Sequence, residues 1–461
     1  MSTEHFDLLV VGGGKGGKTL AARLAREGRR VAMVERGMIG GSCINVACIP
    51  TKTLVRSAKV ADLARRAARH GIRIEVAPVD AVAVRARKRE VVAEMVARNR
   101  KAFDDSGLEL ILGTARFVAP KTVAVRLAGG GERTLFGEQV VVNTGTRPSA
   151  PDVPGLAAAG ALDSESIQEL DRIPERLVVL GGGVIGCELG QVFARFGSRV
   201  VIVDRNERLM PREEPEVVEE LRHAFDEDGI EVVTGASVSE VAGRSGSEVR
   251  VRVRSGAGER TIEGTHLLVA LGRVPNTDGL DAASAGIELD ERGFVRVNDR
   301  LETTAPGTWA VGDVNGGPQF THVSLDDHRI VAANLAGGDR RTKGRVVPYT
   351  IFTDPELGRV GHTEESARRA GFAVRTASLP AAAIPRCVTS GEMRGLWKAV
   401  VEQGSDRILG VSILGAEGGE VMAVVQVAMQ AGLGASALRD AILAHPTMAE
   451  GLNDLFARLP A

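Results

Sequence analysis

Phe6-Asp7-Leu8-Leu9-Val10-Val11-Gly12-Gly13-Gly14-Lys15-Gly16-Gly17 is the stretch that decides the fold. An apolar run of strand length ends in a glycine cluster, and an amphipathic helix follows through Ala25. After Gly28 a second apolar strand, Val31 to Val34, stops at Glu35. Together they make a βαβ unit with Gly12, Gly14 and Gly17 at the G-x-G-x-x-G positions and an acid closing the second strand. Gly12 permits the tight turn, Gly14 lets a pyrophosphate approach the backbone, and Gly17 lets the helix pack on the strand. Glu35 stands where a carboxylate holds a ribose hydroxyl.

The same unit recurs. Leu177 to Leu180 is a strand, Gly181-Gly182-Gly183-Val184-Ile185-Gly186 supplies the turn, a helix runs to about Phe196, and Val200 to Val203 ends at Asp204. One such turn is weak evidence, but two with strand, helix and acid predict two bound dinucleotides. Gly12 to Thr19 also satisfies G-x-x-x-x-G-K-T, which would put Lys18 and Thr19 in the phosphate-binding roles of an ATPase loop. That reading leaves Glu35 without a task and lacks a convincing strand ending in a magnesium-binding Asp. Lys18 is therefore expected on a solvated helix face.

Gly41-Ser42-Cys43-Ile44-Asn45-Val46-Ala47-Cys48-Ile49-Pro50-Thr51-Lys52 follows the first unit within a few residues. In a regular helix, residues five apart lie about 7.5 Å along the axis on diverging faces, too far for a disulfide. The helix must start late, and Pro50 suits a distorted first turn because it lacks a backbone donor. A four-residue loop constrains little of the unfolded chain, so a structural staple here would contribute weakly. Cys43 and Cys48 are read as a redox-active dithiol/disulfide.

The remaining sequence sets limits. At 461 residues the chain exceeds what one core can serve, and 44% hydrophobic and 25% charged residues are ordinary for a globular protein. A net charge of −1 gives no reason to expect nucleic acid or an anionic membrane as partner. Arg65-Arg66 and Arg85 to Arg89 sit among Ala and Val at helical spacing and read as solvated helix faces. No leader or long apolar run is seen, and four cysteines suit a reducing compartment, so a soluble cytoplasmic protein is expected.

Val140 to Val142 leads into Asn143-Thr144-Gly145-Thr146-Arg147-Pro148, and Leu267 to Pro275 repeats that pattern through Gly272 and Arg273. Trp309-Ala310-Val311-Gly312-Asp313 is another buried strand ending in an acid. From about Arg345 the expected elements are strands Val346 to Phe352, Ala373 to Leu379, Leu396 to Glu402 and Ile408 to Leu414, with helices near Glu364 to Ala370 and Glu417 to Ala431. This is an α+β block with no nucleotide motif. Trp309, Trp397 and Cys187 read as core, and His322 and His328 as ordinary helix residues. Cys387 is either inert or near the substrate.

With these motifs the sequence resembles the pyridine nucleotide-disulfide oxidoreductases, the family of glutathione reductase, dihydrolipoamide dehydrogenase and mercuric reductase. The resemblance covers essentially the whole chain. Its marks are the first glycine turn, Cys-x4-Cys with Lys52, Thr144-Gly145, the second glycine turn with Glu188, Gly312-Asp313, and His445-Pro446-Thr447 with Glu450. Gly16-Gly17-Lys18-Thr19-Leu20, Ser324-Leu325-Asp326-Asp327 and Ile384-Pro385-Arg386 look closest to the mercuric-reductase-like branch that includes reactive-chlorine-resistance reductases.

The resemblance implies an α/β fold with two Rossmann-like dinucleotide-binding domains and a C-terminal α+β dimerisation domain. Residues 1–150 would bind FAD, 151–275 NAD(P), 276–344 would complete the FAD site, and 345–461 would form the interface. FAD would lie on Gly12, Gly14, Gly17, Glu35, Thr144, Gly145, Gly312 and Asp313. The nicotinamide nucleotide would lie on Gly181, Gly183, Gly186, Asp204, Gly272 and Arg273. Asp204 favours NADH, because a carboxylate accepts from the 2′-hydroxyl and repels a 2′-phosphate, while Arg205 and Arg208 leave NADPH open. No resident metal is implied.

By the same resemblance, hydride passes from nicotinamide to flavin and two electrons pass on to the Cys43–Cys48 disulfide. Cys48 would be the flavin-side thiolate and Cys43 the interchange thiol, with Lys52 and Glu188 as an ion pair near the flavin. His445, oriented by Glu450, would manage protons at the disulfide of the other subunit, in a turn with a cis peptide before Pro446, which makes a homodimer necessary. Three departures stand out: Val184 replaces the Tyr of glutathione reductases, Ala47 replaces a Gly before the second Cys, and no Cys-Cys pair lies near the C-terminus. The last argues against mercury detoxification and thioredoxin reduction. The expected acceptor is a small disulfide, a metal ion or another oxidant. The alternatives are dihydrolipoamide dehydrogenase and a non-catalytic flavin redox sensor.

Overall fold

The computed structural model describes residues 3–256 and 258–460, and the chain divides into two compact units. The first gathers 1–53, 85–149 and 272–345; the second gathers 54–84, 150–271 and 346–461.

In the first unit the strand Glu4–Val11 lies between two parallel neighbours, Val31–Glu35 and Glu132–Val142. The registers Val10↔Met33 and Val10↔Val141 put apolar side chains in rows across the sheet. Both faces are covered, which is why these strands read as nearly unbroken apolar runs rather than alternating ones. Helix Lys15–Arg26 covers one face with Leu20, Ala21 and Ala22, joined by Trp309 and by Ile330 of helix Thr321–Leu335. Strand Thr308–Ala310 extends the sheet beside Glu132–Val142. The long helix Ala81–Asp104, charged around much of its surface, also contributes to this unit.

The second unit repeats the arrangement in Arg176–Leu180, helix Val184–Phe196 and Arg199–Val203, within a parallel sheet ordered His266–Val269, Arg176–Leu180, Arg199–Val203, Glu231–Val233. A three-stranded antiparallel sheet, Ser237–Arg244, Glu248–Ser255 and Gly258–Gly264, buries Val249, Val251 and Val253 on one face. The C-terminal α+β block is a five-stranded antiparallel sheet in the order Pro348–Ile351, Glu356–Gly361, Ile408–Gly415, Leu396–Glu402, Val374–Pro380. Glu356–Gly361 is a strand beyond those expected from the sequence. The sheet packs around Trp397, which is fully buried, and helix Gly418–Gln430 contributes Val421, Met422 and Val425 to the same core.

A buried ionic knot orients the second glycine helix. Arg195 donates to Asp228 at 2.9 Å and to Asp354 at 2.5 Å, with Arg195 and Asp228 almost wholly out of water. Removing one member of such a knot strands the rest without compensation, at a cost of about 3–5 kcal/mol. Arg195→Met should lower unfolding free energy by about that amount in urea titration, whereas Arg23→Ala, which breaks an exposed pair with Glu27, should cost about 1 kcal/mol or less.

Candidate active site

The first glycine turn is held by a carboxylate. Glu35, buried at the end of its strand, accepts from Gly13 N at 2.7 Å and from Gly37 and Met38 N at 2.8 and 2.9 Å. Gly12 has a φ of 97°, which L side chains rarely adopt, and a methyl on Gly14 would lie 2.5 Å from Asn143 Oδ1. Asn143 ties the turn to the sheet: Oδ1 accepts from Gly17 N at 2.9 Å, and Nδ2 donates to Val311 O at 2.6 Å. Beside it the Thr144 hydroxyl is buried without a hydrogen-bond partner among the described residues, and Gly145 turns at φ 68°.

Gly312 N donates to Asp327 Oδ2 at 2.7 Å, which presents Asp313 in a short turn, Gly312–Asn315. Burial pushes the Asp313 carboxyl up, opposed by the Thr146 hydroxyl that donates to it at 2.9 Å. A glycine cradle, a held carboxylate and an orphaned buried hydroxyl suit a large polar ligand with a pyrophosphate and ribose, as FAD has.

The cysteines sit against this cradle. A methyl on Gly41 would lie 2.9 Å from Gly14 Cα, so the loop carrying Cys43 touches the turn itself. Cys43 lies in a single helical turn, Ser42–Asn45, and Cys48 opens the helix Cys48–Arg66, the late start that the pair requires. Both are free thiols. Cys43 is hydrogen-bonded to Cys48, and this bond, with burial, raises the Cys43 thiol well above the ordinary cysteine range. Thr321, the first residue of helix Thr321–Leu335, has its hydroxyl 3.5 Å from Cys48 Sγ and lowers Cys43.

Lys18 departs from expectation. It is buried at 5% exposure instead of solvated, with Nζ donating to Gly40 O at 2.9 Å and Asn99 Oδ1 at 2.6 Å. Burial pulls it down to about 8. The Thr19 hydroxyl donates to Lys15 O at 2.6 Å. Both side chains of the literal ATPase motif are engaged by protein acceptors, so that reading fails on geometry.

The second turn mirrors the first. Asp204 Oδ2 accepts from Gly182 N at 2.5 Å, and Oδ1 accepts from the backbone and side-chain amides of Asn206, both at 2.7 Å. Gly181 turns at φ 111°, and a methyl on Gly186 would lie 1.9 Å from Gly181 O. Gly183 opens the helix Val184–Phe196. Arg208 donates to Pro211 O at 2.8 Å. Gly272 and Arg273 fall in the first unit, where Arg273 donates to Thr146 Oγ1 at 2.8 Å and to Thr146 O at 2.9 Å.

Lys52 follows Cys48 by one helical turn in the first unit. Glu188, in the second, is buried and accepts from Phe352 N at 2.8 Å. His445, also in the second, is well exposed, with Nδ1 2.8 Å from Glu450 Oε2, and the His445–Pro446 peptide is cis. Cys187 is buried and raised by burial. Cys387 is buried, pushed up to about 11 by burial, with its sulfur 3.5 Å from Met448 Sδ. Asn143, Thr321, Asp327 and Ser324, whose Oγ accepts from Gly16 N at 3.0 Å, carry no local motif that announces these contacts.

A dithiol pressed against one dinucleotide cradle, in a chain that carries a second, defines a dinucleotide-dependent redox enzyme. The chain belongs to the pyridine nucleotide-disulphide oxidoreductases: the family's description matches residues 6–327, and its dimerisation domain matches residues 347–456. Among relatives, the probable pyridine nucleotide-disulfide oxidoreductase RclA of Escherichia coli K12 is 39% identical over 98% of this chain and 99% of its own. A mercuric reductase of Lysinibacillus sphaericus is 36% identical over 98% of this chain and 82% of its own. The solved Cu(II) complex of the HOCl-induced flavoprotein disulfide reductase RclA from E. coli is 38% identical, covers 99% of both chains, and has a TM-score of 0.89. The protein is thus a flavoprotein oxidoreductase that uses FAD and a nicotinamide dinucleotide, with a domain that supports a homodimer. Among the described residues no helix is long and apolar enough to cross a membrane.

If Asn143 braces the FAD cradle, Asn143→Ala should weaken flavin retention about tenfold or more, since each buried hydrogen bond lost costs about 1–3 kcal/mol. Flavin released on dialysis, read by fluorescence, checks this.

Proposed function

We propose that the enzyme passes electrons from NADH through Cys48 and then Cys43 to a thiophilic metal ion, with Cu(II) the first acceptor to test. The observation that carries this reading is the dithiol itself: Cys43 is hydrogen-bonded to Cys48, beside Thr321, in a loop that touches the first glycine turn. RclA, a relative over nearly the whole chain, has been solved as a Cu(II) complex. Sulfur donors favour the soft Cu(I) state, which helps drive the reduction of Cu(II).

On this reading the segments 1–150 and 276–344 hold FAD through Gly12, Gly14, Gly17, Glu35, Thr144, Gly145, Gly312 and Asp313. The segment 151–275 holds the nicotinamide nucleotide through Gly181, Gly183, Gly186 and Asp204, with Gly272 and Arg273 near its end, and 345–461 forms the dimer contact. When bound, FAD supplies the two-electron chemistry that joins hydride oxidation to disulfide reduction. The chain's part is to accept that hydride equivalent as one Cys43 thiol and one Cys48 thiolate. The thiolate is kept at Cys48 by the Cys43 donor and by the start of helix Cys48–Arg66. Oxidation by two Cu(II) ions yields two Cu(I), re-forms the S–S bond and releases the Cys43 proton.

That proton needs a base. His445, oriented by Glu450 at 2.8 Å and exposed in the single chain, fits this task at the dithiol of a second subunit. Lys52 and Glu188 are the charged groups set for the flavin side. The Asp204 carboxylate supports NADH over NADPH, and a single reactive dithiol suits the reducing cytoplasm.

Anaerobic NADH titration should give a long-wavelength absorption band that Cys48→Ser removes. NADH-driven Cu(II) reduction should outpace lipoamide turnover, should fall to background in Cys43→Ser, and should drop about 10²–10⁴-fold in His445→Ala. Rapid lipoamide turnover without metal reduction would instead establish the dihydrolipoamide dehydrogenase reading. NADH should be used in preference to NADPH, and Asp204→Ala should narrow that preference in kcat/KM.

A further inference from the structure

A carboxylate is seldom taken out of water unless donors meet it, and here two chain neighbours are taken out together. Glu213 and Glu214 are both buried, at the end of the loop that leaves Asp204 and just before helix Pro215–Glu227. Each is met by a different part of the C-terminal sheet. Glu213 accepts from the Tyr349 hydroxyl at 2.6 Å and from Arg359 Nη1 at 2.8 Å, on strands Pro348–Ile351 and Glu356–Gly361. Glu214 accepts from Lys398 Nζ at 3.1 Å, on strand Leu396–Glu402, and from Glu364 N at 2.7 Å, where helix Glu364–Arg369 begins.

The middle of the same loop rests on the second glycine turn. Met210 N donates to Gly182 O at 2.9 Å, and a methyl on Gly182 would lie 2.4 Å from Leu209 Cδ2. Met210 sits in the left-handed region at φ 40°, a conformation that a residue with a side chain keeps only where its surroundings over-determine it. Its carbonyl accepts from Glu213 N at 2.9 Å, so the strained residue is gripped by Gly182 on one side and by the anchored glutamates on the other.

We propose that Glu213 and Glu214 are positioning residues for the nicotinamide nucleotide: they anchor in the C-terminal sheet the loop that braces the second glycine turn, so that the nucleotide meets a turn already formed. The proposal rests on the reading of that turn and Asp204 as the nucleotide's seat. Gly182 is held at both of its backbone groups, its N by Asp204 Oδ2 at 2.5 Å and its O by Met210 N and by Cys187 Sγ at 3.4 Å. Loss of the anchor lets Met210 relax out of its strained conformation, and the turn loosens with it. Ordering the turn again on binding costs affinity, while the hydride step, made once the nucleotide is seated, is untouched.

The test is calorimetric titration of NAD+ into the oxidised holoenzyme, with the rate of flavin reduction by NADH followed in parallel by stopped-flow absorbance. Glu213→Gln and Glu214→Gln, which remove the charges that Arg359 and Lys398 meet, should each raise the NAD+ dissociation constant and the half-saturating NADH concentration about fivefold, with the limiting rate of flavin reduction unchanged. Tyr349→Phe removes one donor and keeps the ring; it should move both constants in the same direction, by about twofold or more, and carries the test if the glutamine variants do not fold. Constants that stay at the wild-type value in any folded variant, or a limiting rate that falls in their place, overturn the proposal. Asp204→Ala should also weaken NAD+ binding; unchanged binding in that variant would instead overturn the second turn as the nucleotide's seat, whatever the other variants do.

Discussion

Two glycines without side chains let two stretches of backbone meet. Gly41 lies against Gly14 so closely that a single methyl would part them. The rest of the site depends on this contact, because it brings the dithiol onto the first glycine turn. Neither half could be moved alone. The turn is fixed by Glu35 and Asn143, and the cysteine loop by Asn45 and Lys18, so the contact joins two elements that are each rigid already.

Both glycine turns solve one problem in the same way. A turn with a backbone donor exposed at its middle glycine needs an acceptor, and the acid at the end of the next strand provides it, Glu35 to Gly13 and Asp204 to Gly182. In each unit the carboxylate at the strand end thus organises the glycine turn that opens the helix. Its loss would release the turn that it holds.

Much of this was legible in the sequence, since strand, glycine turn, helix and acid are local patterns. The elements around both turns fall within a residue or two of expectation, as do most of the C-terminal strands. What could not be read is what distance in the chain conceals. Lys18 looked solvated because its fate is decided by Asn99, 81 residues away, and Thr321 meets Cys48 across 273 residues. The pairing of Arg273–Pro275 with Thr146–Pro148 likewise threads one unit through a gap of more than a hundred residues, which no composition shift announces. The alternation of Val249, Val251 and Val253 with charged neighbours is, by contrast, a local strand signal of period two.

Four sulfhydryls share this chain, and exposure divides them: Cys43 and Cys48 are only partly buried. Cys187 and Cys387 are shut away from solvent and held in their protonated form, and it is the deprotonated sulfur that oxidants attack. On the proposed reading, oxidation at the partly exposed pair is the injury that the enzyme's own reducing chemistry undoes, while the two buried thiols are kept out of an oxidant's reach.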